Sequence, residues 1–137
     1  QVTIKRKVKA PQEKLFEAWL NVDAIKEFMI PMPGTTVENV VVDEREGGQY
    51  SLTMKIGDTE IPITGEYRRI SKFDLLEFSW LSPHTSDNSV ININFKKIND
   101  FETEIILLHK GLDTEESMNN HEGGWVEILE NLSKMYL

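Results

Sequence analysis

Hydrophobic and polar residues alternate along most of this chain, in segments of strand length. Residues 2–9 place Val2, Ile4 and Val8 on one face, which is typical of a β-strand. From about Thr35 the same period of two recurs, and it predicts six further strands over 37–43, 50–56, 59–70, 75–81, 91–96 and 103–109. Only short turns separate most of these segments, so the strands are predicted to form an antiparallel meander.

Helical spacing replaces the alternation at two places. After Pro11, which favours the start of a helix, residues 15–20 form a compact apolar group; Asn21 then suits the cap of a second short helix over 24–29. The chain ends in a third helix that opens on Gly123, Gly124 and Trp125. Its inward stripe comprises Met118, His121, Trp125, Ile128, Leu132 and Met135. These elements predict an α+β fold in which one curved sheet wraps around the last helix.

Composition narrows the possible partners. The 137 residues carry a net charge of −8, which disfavours nucleic acid, and no apolar run reaches the length of a membrane span. The chain contains no cysteine, which excludes thiolate chemistry and fits a cytoplasmic location. Basic residues cluster only in the first strand, at Lys5, Arg6, Lys7 and Lys9, and we interpret them as the solvated charges of an edge strand.

The order of elements resembles the helix-grip fold of the START-like (SRPBCC) superfamily, in the branch named after the activator of the heat-shock protein 90 ATPase. The resemblance covers nearly the full length, as one domain over 1–137. It rests on a series of short sequences: Ala10-Pro11 before Phe16-Glu17-Ala18-Trp19, 43–48, Gly65-Glu66-Tyr67, 76–80, 103–105 leading to His109, and Gly124-Trp125 with Leu129 and Leu132.

The resemblance implies a single-domain carrier with a pocket between sheet and last helix. Many relatives have a Trp-Trp-Gly type sequence at the end of the second short helix, beside the cavity mouth. Here residues 27–31 read Glu-Phe-Met-Ile-Pro, so ligand preference is expected to differ. The eukaryotic co-chaperone carries an additional chaperone-binding domain, and nothing of that size is present in these 137 residues.

We therefore predict a protein that binds a small apolar or aromatic molecule, without a metal or cofactor. The predicted cavity walls are Leu52, Met54, Tyr67, Phe78, Trp80, Ile93, Leu107 and Trp125, with His121 as a further contact. We expect His109 and Tyr67 to orient the ligand. The glycine pair 123–124 lowers helix stability, and it allows either a close approach of helix to sheet or a larger cavity.

Two other functions remain open at this stage. A polar, water-accessible cavity would favour a cyclase or hydrolase that uses His109 as general base, since imidazole titrates near neutral pH. An interior filled by side chains would favour a stress-related or chaperone-related protein-interaction module whose partner is unknown. His84 lies in the longest loop, 82–88, where it is expected to be solvated or to contribute to a lid.

Overall fold

The structure is a computed structural model that describes residues 1–136, so Leu137 of the predicted domain 1–137 lies outside it. These residues form ten elements. In chain order they are β1 (Val2–Val8), α1 (Gln12–Ala18), α2 (Val22–Phe28), β2 (Thr35–Val42), β3 (Gln49–Ile56), β4 (Thr59–Ser71), β5 (Leu75–Ser79), β6 (Val90–Asn99), β7 (Glu102–Lys110) and α3 (Glu115–Lys134).

The seven strands form one antiparallel sheet in the order β1-β7-β6-β5-β4-β3-β2. The strands after α2 run as the predicted meander, and β1 joins the far edge by pairing with β7. This is the predicted helix-grip α+β fold. Lys5 and Lys7 face solvent on the edge strand β1, as expected. The side chain of Arg6 is partly exposed, and its Nη2 lies 2.6 Å from Oε2 of Glu130 on α3.

The two short helices follow the local signals of the sequence. Asn21 caps α2 as predicted: its side chain accepts a hydrogen bond of 2.9 Å from the backbone N–H of Ala24. Pro11, expected at the first helical position, occupies the N-cap of α1, one residue before the helix begins at Gln12. Phe16 of α1 lies edge-on to Phe95 of β6, with ring centroids 5.4 Å apart, so α1 covers one end of the sheet.

The prediction for the start of α3 was wrong. The helix begins at Glu115, and the side chain of Thr114 caps it by accepting a 3.0 Å hydrogen bond from Ser117 N–H. The two glycines therefore lie near its middle. The Thr114 cap and two glutamates in the first turn favour helix in the segment that precedes the glycines.

The apolar face of α3 packs on the concave face of the sheet. Trp125, Ile128, Leu129 and Leu132 are buried, as the helical spacing predicted. Next to this buried face, Asn131 of the same helix donates a 2.9 Å hydrogen bond to the carbonyl of Ile30 and so fixes the segment that follows α2. Among residues 1–136, no helix is long and apolar enough to cross a membrane.

Candidate functional site

His109 lies in the core, at the end of β7, and is completely buried. Its Nδ1 accepts a 2.9 Å hydrogen bond from the indole Nε1–H of Trp125, so the ring proton is on Nε2. That proton is donated to Ser89 Oγ, 2.7 Å away. Burial, with a smaller contribution from His121, lowers the pKa of His109 to about 3. The imidazole is therefore neutral, and both of its nitrogens are engaged.

The space between sheet and helix is filled by side chains over much of its length. Tyr67, predicted to orient a ligand, packs against Tyr50 and Phe78, with ring centroids 5.4 and 6.1 Å away. Burial raises the pKa of Tyr67, and the charges of Glu44 and Asp43 raise it further, so the phenol remains protonated. This aromatic cluster occupies the place where the sequence predicted the middle of the cavity.

An open cavity of about 430 Å³ remains towards the amino-terminal half of α3. Its volume falls in the usual range of small-molecule sites. Three parts of the fold enclose it: β3–β4 with the residues after β5, the first half of α3, and Pro31 after α2. The lining residues are Pro31, Met54, Ile61, Ile63, Trp80, Ser82, His84, Thr114, Glu116, Ser117, Asn120, His121, Gly124, Trp125 and Ile128.

The floor of the cavity is aromatic and aliphatic. Trp80 and Trp125 are almost completely buried, and their ring centroids lie 4.9 Å apart at a tilt of 59°. Ile63 and Met54, which are also buried, extend this surface along neighbouring strands. A ligand seated here would contact a preformed apolar wall, because the two indoles already support each other.

The polar side of the cavity comes from α3. His121 is half-buried, and its Nδ1–H donates to the carbonyl oxygen of Ser117, one helical turn earlier, at 2.8 Å. The ring lies edge-on to His109, with centroids 5.0 Å apart. Thr114, Glu116 and Asn120 are exposed residues at the rim. The cavity thus combines a dry floor with a hydrated polar edge.

The two glycines of α3 occupy different environments. A Cβ placed on Gly123 would meet no atom within 4 Å, so no close packing explains this glycine. A Cβ on Gly124 would lie 3.3 Å from Cβ of Pro31, and Gly124 also lines the cavity. Of the two glycines, only Gly124 therefore fits both explanations drawn from the sequence, a close approach of another element and a larger cavity. The element that approaches it is the segment after α2 rather than the sheet.

The structure brings only part of the sequence-predicted site together. Met54, Trp80, His121 and Trp125 line the cavity. The other predicted residues are buried away from it, namely Leu52, Tyr67, Phe78, Ile93, Leu107 and His109. His84, considered for a lid, lies exposed at the cavity edge. Sequence reasoning missed Ser117 and Asn120, although their helical spacing from His121 would have identified them had the helix been predicted to begin at Glu115.

Metal coordination finds no support in this site. Within residues 1–136, no three His, Asp or Glu side chains are grouped closely enough to hold a metal ion. The described histidines of the core and the cavity are instead tied to neutral groups, His109 to Trp125 and Ser89, and His121 to Ser117.

Comparison with known proteins agrees with the geometry of the fold. The family model described as Activator of Hsp90 ATPase homolog 1-like protein matches residues 9–136. No curated protein matches the sequence. Among solved structures, protein CV1439 from Chromobacterium violaceum is similar with a TM-score of 0.88 and 18% identity, covering 98% of this chain and 95% of that one.

Two further structures have the same architecture. The AHSA1 protein from Silicibacter pomeroyi is similar with a TM-score of 0.82 and 21% identity, covering 98% of this chain and 95% of the other. A protein from Plasmodium falciparum described as an HSP90 activator has a TM-score of 0.76 and 20% identity, covering 98% and 94%. At these identities the likeness is one of fold.

Proposed function

This chain belongs to the Activator of Hsp90 ATPase homolog 1-like protein family, and we propose that it binds a small apolar or aromatic molecule in the cavity beside α3. The observation that carries this proposal is the cavity of about 430 Å³ floored by Trp80 and Trp125. Small-molecule sites typically combine such an apolar wall with a few polar groups at one side. The absence of cysteine is compatible with action in the reducing cytoplasm.

The residues that contact the ligand differ in part from those expected. Trp80, Trp125, Met54 and Ile63 supply apolar area. His121 takes the orienting role first assigned to His109 and Tyr67, because it is the half-buried titratable side chain of the cavity lining.

A pair of neighbouring substitutions tests the site. Gly124→Leu adds a side chain at a residue that lines the cavity, whereas Gly123→Leu adds the same side chain to the same helix at a position where a Cβ meets no atom within 4 Å. Both variants change helix propensity equally. We expect the neutral dye N-phenyl-1-naphthylamine to bind the unmodified protein and Gly123→Leu alike, and to bind Gly124→Leu at least tenfold more weakly. Equal binding by the two variants, or no binding by the unmodified protein, would reject the proposal.

Catalysis by His109 has little support. A general base needs a free lone pair that a substrate can reach. The lone pair of Nδ1 already accepts the indole proton of Trp125, and the residue has no exposed surface. Among the described residues, no carboxylate hydrogen bonds to His109 or His121. Binding without chemistry is therefore the function that the geometry favours.

A protein-interaction role is the second candidate, and one surface favours it. Phe101 at the turn between β6 and β7 is 78% exposed, and Ile98 beside it is 43% exposed. Exposed apolar groups of this kind can mark a contact with another protein. Phe101→Ser should then weaken capture of a chaperone partner without changing dye binding. The family name and the Plasmodium relative make a heat-shock protein 90 the first partner to test.

A further inference from the structure

The charge around the cavity determines which aromatic ligands it can accept. Of the lining residues, Glu116 is acidic and none is lysine or arginine. An amino-terminal helix end attracts anions, but Glu115 and Glu116 occupy the first turn of α3 and offset that effect. Thr114 already caps the N–H of Ser117. A carboxylate in this cavity would lose hydration without gaining a cationic partner.

The tautomer of His121 gives the cavity a defined hydrogen-bonding character. The carbonyl oxygen of Ser117 can only accept, so Nδ1 of His121 must carry the proton of that 2.8 Å bond. In the neutral ring, Nε2 is then an acceptor. No residue among 1–136 hydrogen bonds to this Nε2, whereas the neighbouring His109 has partners on both nitrogens. Because His121 lines the cavity, a bound ligand can use this acceptor nitrogen.

We infer that the cavity selects uncharged aromatic compounds that carry a hydroxyl group, and that it discriminates against aromatic carboxylates. The ring rests against Trp80 and Trp125, and the hydroxyl donates to Nε2 of His121. This inference rests on the proposed ligand-binding function and adds to it the chemical class of the ligand. The side-chain amide of Asn120 at the rim can donate to acceptor groups on a ligand, so such groups do not prevent binding. The selection depends on the absence of a negative charge on the ligand and on the presence of a hydroxyl donor.

Three matched compounds test the inference: 2-naphthol, naphthalene and 2-naphthoate. Each is titrated at pH 7.5 as a competitor of N-phenyl-1-naphthylamine, against the unmodified protein and His121→Phe. Phenylalanine keeps a planar ring against His109 and removes the acceptor. We expect 2-naphthol to bind roughly three- to tenfold more tightly than naphthalene, the range that one neutral hydrogen bond supplies. In His121→Phe that ratio should fall to about one, with naphthalene binding retained.

The outcomes separate the inference from the function on which it rests. Binding of 2-naphthoate as tight as that of 2-naphthol would overturn the selectivity while leaving the proposed binding function intact. A preference for 2-naphthol that survives in His121→Phe would overturn the role of Nε2. If none of the three compounds competes, although the dye binds, the selection for hydroxyl-bearing aromatic compounds is rejected and the proposed binding of an apolar or aromatic molecule stands. If the dye does not bind either, the proposed function fails.

Discussion

The buried His109 predicts a specific dependence of stability on pH. Its pKa is lowered to about 3 in the folded protein, mainly by burial, whereas an unfolded chain gives histidine its ordinary value of about 6.5. Between these values the unfolded state binds a proton that the folded state cannot accept. The stabilisation is therefore complete above pH 6.5 and is lost as the pH falls from about 6.5 towards about 3.

The size of the effect follows from the difference between the two pKa values. Each pH unit well inside this window costs about 1.4 kcal/mol of the free energy of unfolding. Integrated from pH 7.5 to pH 5, the loss attributable to His109 is about 2 kcal/mol. Small domains are stable by only about 5–15 kcal/mol, so the change is readily measured.

The assay is urea unfolding followed by tryptophan fluorescence at pH 5.0 and 7.5, on the unmodified protein and on His109→Gln. Glutamine can still accept from Trp125 and donate to Ser89, but it does not titrate. The contributions of carboxylates to the pH dependence of the free energy of unfolding are common to both proteins and cancel in the comparison. We expect the unmodified protein to lose about 2 kcal/mol more than His109→Gln over this interval.

An equal pH dependence in the two proteins would refute the reasoning, because it would mean that His109 titrates in the folded state as it does in the unfolded one. Nitrogen-15 NMR of the imidazole provides an independent check. The His109 ring should show an Nε2–H tautomer whose shifts stay constant down to pH 5. A midpoint near pH 6.5 would reopen the possibility that this residue acts as a base.

Four further substitutions test the packing and the capping of helices. Gly123→Ala should raise the free energy of unfolding by up to about 1 kcal/mol, and Gly124→Ala should gain less, because its Cβ contacts the segment after α2. Gly65→Ala should destabilise by about 1–3 kcal/mol or more, since its Cβ would collide with the backbone carbonyl oxygen of Ser79 and would lie 2.5 Å from Cε1 of Tyr50. Asn21→Ala should cost about 1 kcal/mol through loss of the α2 cap.

Urea unfolding at pH 7.5 checks all of these variants against the unmodified protein. A Gly124→Ala protein more stable than Gly123→Ala would contradict the different environments of the two glycines. A neutral Gly65→Ala would show that Tyr50 does not need that space, although its hydroxyl donates a 2.5 Å bond to the carbonyl of Ser79. If Asn21→Ala has the same free energy of unfolding as the unmodified protein, the Asn21 cap does not stabilise α2.

The fold could be predicted from the sequence because the hydrophobic periodicity that defines each strand and helix is a local property of the chain. Alternation with a period of two identified the strands. The burial of β7 agrees with it residue by residue, and that of β4 agrees as far as Tyr67, where the register with β5 shifts. The start of α3 was harder to predict from the sequence. Two glycines oppose helix formation there, whereas the capping contact of Thr114 and the first-turn glutamates favour it. Residue type alone did not reveal that balance.

The site could be predicted only in part, because a cavity depends on what the neighbouring side chains leave empty. Tyr67 and Phe78 point inward as predicted, yet with Tyr50 they fill the space that they were expected to enclose. The role of His109 depended on a partner 16 residues away in sequence, the indole of Trp125, which alternation cannot identify. Pro31, in the segment 27–31 that the resemblance placed beside the cavity mouth, does line the cavity.

Native mass spectrometry of gently purified protein tests the central claim most directly. The unmodified protein and Gly123→Leu should carry an additional mass of a few hundred daltons that organic extraction recovers as an uncharged aromatic compound, and Gly124→Leu should lack it. If no additional mass appears, and none forms after exposure to a library of aromatic and lipid compounds, the cavity beside α3 does not bind ligands and the account is contradicted.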